Sequence, residues 1–297
     1  MLYAVSKIRP GLSMLSISSI AAVLILFSCR ASTQPSSQEQ QAPRAYLGFD
    51  LNIFPGKDAL PALRKTFAFS SYWLSPPNGE KKNTWLGQRD VLRSQGFGFL
   101  LLYLGPLSRE LKSEAAAVQK GTLDARNASS VAKSEGFPAQ AIIFLDIEEG
   151  GRLPATYHAY LRAWASALTE SGYGSGAYCS GIPIKEEPGG TITTADDIRA
   201  HVPSADFAYF IFNDVCPPSP GCAYPQNPPS PAAGRIPYAS VWQYAQSPRR
   251  MDRTTRCAPG YHTDGNCYAP GDTAHAWFLD VDTATSSDPS NAAGVRR

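Results

Sequence analysis

The stretch Ala141–Gly151 reads AIIFLDIEEGG. An apolar run ends on Asp146, Glu148 and Glu149, and two glycines follow. Carboxylates at the edge of a core are costly unless they are paired or used. Side chains two apart on a strand share a face, about 6.5–7 Å apart at Cα. Asp146 and Glu148 are therefore expected to point together, and Glu149 elsewhere. Like charges held close raise one pKa and keep one acid protonated near neutral pH. A proton donor beside an ionised carboxylate is the pair that glycosidic cleavage uses. Gly150 and Gly151 let the chain turn sharply without crowding a ligand. A strand-end acid can also cap a helix, hold a metal or answer a counter-charge, so position decides.

The positioning elements follow from the apolar pattern. Strands are predicted at Tyr46–Asp50, Phe67–Leu74, Phe97–Leu104, Ala141–Asp146, Gly176–Ser180, Phe207–Asn213, Ser240–Tyr244 and Ala276–Asp282. Continuously apolar strands imply a parallel sheet covered on both faces by helices. Helices are predicted at Trp85–Ser94, Ala115–Lys133, Ala155–Ser171 and Thr194–His201. In the third of these, Tyr157, Tyr160, Leu161, Trp164 and Leu168 recur at helical spacing, with Pro154 before it and Gly172 beyond it. From Cys216 to Pro237, and again from Ser247 to Thr273, the chain is loop-like. The fold class is α/β: a TIM-like (β/α) barrel over residues 45–287 with a degenerate last third. Helices follow the first five strands and loops the last three. Asp50 would end the first strand, and Asp280 and Asp282 the last. Those strands are neighbours in a closed barrel, so three groups of acids are expected at one mouth.

The chain of 297 residues has a formal net charge of +2, and no dense Lys/Arg run, which argues against nucleic acid as a partner. Lys7 and Arg9 precede an apolar stretch from Leu12 to Phe27, and residues 1–28 read as a secretory signal. Leu26-Phe27-Ser28-Cys29 resembles a bacterial lipobox, although Phe27 departs from the usual motif. That resemblance implies lipidation of Cys29 and membrane attachment through it. A plain signal peptide or an uncleaved anchor helix are the alternatives. Residues 29–44 read as a flexible tether and residues 288–297 as a disordered tail. The protein is thus expected to be exported to a bacterial cell envelope, lipid-anchored or secreted. Cys216 with Cys222, and Cys257 with Cys267, bracket short loops and are assigned as local disulfides. Cys179 lies in an apolar strand and reads as a buried thiol. No cofactor or metal is assigned, although the acidic mouth leaves a metal open. Oligomeric state is not legible.

GFD at the first strand, LDIEEGG at the fourth, GYGSGAYCSG around the fifth, VWQYAQ at the seventh and FLDVD at the last resemble a glycoside hydrolase-like barrel family (DUF1906, Rv2525c-like). More distantly they are similar to glycoside hydrolase family 25 lysozymes, from about Tyr46 to Ser287. The resemblance implies that Glu148 is a general acid. It implies that Asp146 orients an N-acetyl group or stabilises an oxazolinium-like intermediate. Asp50 and Asp280 would bind and polarise the sugar. The lysozymes carry D-x-N where this chain has Asp280-Val281-Asp282, which leaves the equivalent acid open. Trp242 and Gln243 would line the cleft floor, and Tyr178 would stack on a sugar; Tyr103 is expected in the core instead. The implied activity is cleavage of peptidoglycan or a related N-acetylated glycan. The alternative is a glycan-binding barrel without turnover. A hydrolase built on Cys179 or Ser180 lacks a nucleophile elbow and a paired histidine.

Overall fold

The computed structural model describes residues 44–202, 206–213, 224–247, 267–274, 276 and 278–294. The apolar runs form strands β1 (Tyr46–Asp50), β2 (Phe69–Trp73), β3 (Gly98–Leu104), β4 (Ile142–Asp146), β5 (Gly174–Ser180), β6 (Ala208–Phe212), β7 (Val241–Ala245) and β8 (Asp280–Ala284). They close into a barrel in the order β1-β8-β7-β6-β5-β4-β3-β2. The α/β barrel fold expected from the sequence is therefore present.

The last strand departs from expectation. It begins at Asp280 rather than ending near it, and it runs antiparallel to both β1 and β7. The apolar residues before it are not barrel: Phe278 makes an isolated antiparallel bridge with Tyr268, and Leu279 N–H donates to Cys267 O. An apolar run alone does not state a strand's direction. Reversal still brings an acid to the mouth, because the first residue of a reversed strand lies beside the last residues of its neighbours. Asp280 pairs with Asp50, and Asp282 with Gly48, two residues deeper.

A helix follows each of the first five strands: α1 (Leu60–Arg64), α2 (Arg89–Ser94), α3 (Glu114–Ser134), α4 (Ala155–Glu170) and α5 (Thr194–His201). Among the described residues no α-helix follows β6; the chain makes a 3-10 turn at Pro231–Gly234. Helix α2 starts later than predicted, after Gly87 takes a left-handed φ of 78°. Helix α4 buries the predicted face of Tyr157, Tyr160, Leu161, Trp164 and Leu168. Helix α3 packs against it so closely that a Cβ on Gly121 would lie 2.4 Å from Tyr160 O. Ser113 caps α3 by accepting from Ala116 N–H at 3.3 Å.

The tail expected to be disordered is instead ordered over residues 288–294. Asp288 Oδ1 accepts from Phe99 N–H at 2.9 Å, and Ser290 Oγ from Leu101 N–H at 2.8 Å. Ser290 O accepts from Ile142 N–H, and Ser290 and Ala292 are fully buried. Polar composition suggested a free tail, but these polar groups satisfy the strand starts at the barrel floor.

Candidate functional site

At the C-terminal ends of β1–β5 the barrel opens into a cavity of about 200 Å³. It is lined by Asp50, Asn52, Trp73, Asn78, Leu102, Asp146, Glu148, Tyr178, Gln243, Gln246 and Asp280. Acids from β1, the end of β4 and the start of β8 thus meet there. Asp146 is buried and Glu148 exposed. Glu149 turns away, as the strand alternation predicts; its Oε2 accepts from both the backbone N–H (3.0 Å) and the hydroxyl of Ser108.

Burial sets the electrostatics. It holds the Asp146 carboxyl well above the usual range, and the Glu148 and Asp50 charges push it further. Asp146 Oδ1 has no hydrogen-bond partner. Asp50 is raised to about 6 by burial, against the lowering effect of Ser71 and Trp73. Asp280 is raised by burial and by the Asp50 charge, although Ser247 N–H donates to it. The interior acids are therefore biased towards their protonated forms, next to an exposed Glu148.

A hydrogen-bond relay orients Asp280. Gln246 Nε2 donates to the Tyr178 hydroxyl (3.1 Å), which donates to Gln243 Oε1 (2.8 Å); Gln243 Nε2 donates to Asp280 Oδ2 (3.3 Å). The Tyr178 ring stacks on Phe212 at 5.2 Å, so its hydroxyl is its polar contribution to the cavity.

The loop after Glu148 is held from α5. Gly151 takes φ 81°, a conformation that favours glycine. Asp197, fully buried, then accepts from Leu153 N–H at 2.9 Å and from Arg152 Nη1 at 3.2 Å. His158 Nε2 lies 2.7 Å from Oδ2, the oxygen that also takes the Leu153 N–H. With His201 this group has the composition of a metal site. His201 Nδ1 is 2.8 Å from Asp197 O, where it must donate, so any lone pair that His201 offers lies on Nε2. Asp197 reads as an anchor for the loop.

Residues 71–210 match the sequence profile of the Rv2525c-like, glycoside hydrolase-like domain. This is the family the sequence resembles. No curated protein matches the chain. Solved structures similar to it include an uncharacterized B. stearothermophilus protein (18% identity, 80% of this chain and 95% of that one, TM-score 0.46). The Mycobacterium tuberculosis Tat-secreted protein Rv2525c, in complex with L-tartrate, is 17% identical over 81% of this chain and 95% of that one, with TM-score 0.45. GHIP, a glycosyl hydrolase 25 of Streptococcus pneumoniae, is 11% identical over 80% and 86%, with TM-score 0.45. At these values none bears on what this chain does.

Two residues expected at the mouth do not line it. Trp242 does not line the cavity: it is 1% exposed, and its Nε1 donates to Asn213 at 3.1 Å. A Cβ on Gly234 would lie 3.0 Å from its ring, so Trp242 packs outward under the Pro231–Gly234 turn. Neighbours on a strand face opposite ways, so Gln243 lining the cavity excludes Trp242 from it. Asp282 is the second. It is fully buried, both its oxygens lack a partner, and it does not line the cavity. Burial, then the charges of Asp50 and Asp280, hold its carboxyl well above the usual range. Asp280 is thus the acid that faces the mouth.

Tyr103 packs on Trp164 at 5.4 Å, outside the mouth. Burial raises the pKa of the Cys179 thiol, the opposite of an activated nucleophile, and Ser180 Oγ accepts from Ile182 N–H at 3.1 Å. Cys267 is buried; Cys29, Cys216, Cys222 and Cys257 lie outside the described residues, as do residues 1–43. Sequence reading missed Trp73, Asn52, Asn78 and Gln246. Trp73 ends β2 as Asp50 ends β1, and Asn52 follows Asp50 by two; strand-end position was the available signal.

Proposed function

We propose that the mouth cleaves a glycosidic bond by carboxylate chemistry, acting on peptidoglycan or a related N-acetylated glycan. The observation that carries the reading is the convergence of Asp50, Asp146, Glu148 and Asp280 on one cavity, with Asp146 buried and Glu148 exposed. Glycoside hydrolysis needs two carboxyl groups in different environments. Following the family pattern, Glu148 protonates the leaving oxygen from the open rim. Asp146, biased by burial towards its protonated form, orients the N-acetyl group through a hydrogen bond. Asp50 and Asp280 bind and polarise the sugar, with Asp280 held by Gln243 and Tyr178. The indole of Trp73 and the side chain of Leu102 offer apolar walls in a largely polar cavity. An exported location and a lipid anchor at Cys29 fit this reading and belong to the proposal.

The test is product analysis. Wild-type protein and the Glu148→Gln variant are incubated with peptidoglycan, and soluble muropeptides are read by mass spectrometry. Release by the wild type alone supports hydrolysis. Glycan retention without products from either protein would replace it with a binding barrel, which the same acid-lined cavity also permits.

A further inference from the structure

The opposite end of the barrel carries a second cavity, of about 360 Å³, that the mouth chemistry does not use. It lies where β1 begins and β2 is entered. Its lining includes Arg44, Arg64 and Lys65, with Tyr46 and Tyr224, and no acid. Arg44 and Lys65 are exposed. Among the described residues none of the three cations forms an ion pair. Arg64 is fixed: its Nε donates to Gly96 O and its Nη1 to Phe67 O, both at 3.1 Å. The Arg44 guanidinium lies 5.5 Å from the Tyr46 ring. The rim is fixed too, since Tyr224 packs edge-on against Phe67 at 5.4 Å and its hydroxyl donates to Tyr268 O.

We propose that this pocket seats the phosphate headgroups of an anionic lipid bilayer, docking the barrel floor-down. Charge, chain entry and position select that occupant. Guanidinium and ammonium groups around a polar concavity complement phosphate oxygens. The described residues begin at Arg44, within the pocket itself, and the sequence before it reads as a tether from Cys29. A lipid on Cys29, as the sequence implies, brings a bilayer to this face at high effective concentration. Finally, the acids lie at the other end of β1, about 13 Å along the strand. An anionic surface attracts the cations of the floor, so docking leaves the mouth facing outward. The proposal does not depend on whether the mouth turns over substrate.

The test uses the full chain carrying Cys29→Ser, sedimented with vesicles of phosphatidylcholine alone or mixed with phosphatidylglycerol. Tighter binding to the anionic vesicles is expected, with each of Arg44→Ala and Lys65→Ala weakening it about fivefold. Binding to neutral vesicles should not change between variants, and high salt should remove the anionic preference. Both side chains are exposed, so folding is not at stake. Equal binding to the two vesicle types, or variants that bind like the parent, would overturn the proposal. Release by inorganic phosphate at constant ionic strength would also overturn it, assigning the pocket to a soluble phosphate.

Discussion

Asp282 isolates what burial does to an acid in this barrel. Both its oxygens lack partners, and burial followed by the Asp50 and Asp280 charges raises its pKa. A raised acid binds its proton in the folded state at pH values where the unfolded chain has lost it. Its contribution to stability is therefore complete below the unfolded pKa and is lost as pH rises towards the folded one. Asp282→Asn removes that ionisation. The variant should lose less melting temperature than the wild type between mildly acidic and mildly alkaline pH, as calorimetry would measure. An unchanged pH slope would mean that Asp282 is solvated. The acids themselves were legible, because Asp146 and Glu148 sit at the end of an apolar run with the spacing of one strand face. Which of Asp280 and Asp282 faces the mouth was not, since both share a face and only depth separates them. Trp242 was mistaken although alternation with Gln243 excluded it.

The elements show what periodicity carries and what it omits. Four of the five helices were visible because helical and strand periods differ; the short α1 (Leu60–Arg64) was not located. The direction of β8 was not visible, because its pairing is set by neighbours far away in sequence. The order of residues 288–294 was hidden for the same reason, its partners being the starts of β3 and β4. Close crossing of α3 and α4 gives an unusual expectation. Alanine is the better helix former by about 1 kcal/mol, yet Gly121→Ala should destabilise the fold by about 1–3 kcal/mol, because its Cβ meets Tyr160 O. Urea unfolding would measure it, and a stabilised variant would place the helices further apart. The loop anchor gives another. Asp197→Ala leaves His158 and the Leu153 N–H without their partner, although Arg152 keeps Glu186, and should cost on the order of 3 kcal/mol. Turnover by the remaining folded protein should also fall, because the loop bearing Glu148 loses its tie.

At the scale of the whole molecule, raised acids sit at the mouth, and at the floor sit cations that form no ion pair among the described residues. Deprotonating Asp50, at about 6 in the fold, should weaken the native state as pH rises through that value, with Asp146, Asp280 and Asp282 extending the loss upward. The melting temperature should therefore peak at mildly acidic pH; a maximum on the alkaline side would mean that these acids are solvated. The central claim, cleavage at the mouth, is tested most directly by the initial rate of reducing-end release from a chitooligosaccharide. Wild-type protein and Glu148→Gln are compared at matched melting temperature. A wild-type rate at least about 100-fold above that of the variant is the predicted result. Equal rates from the two proteins would contradict it, and would remove Glu148 from the chemistry.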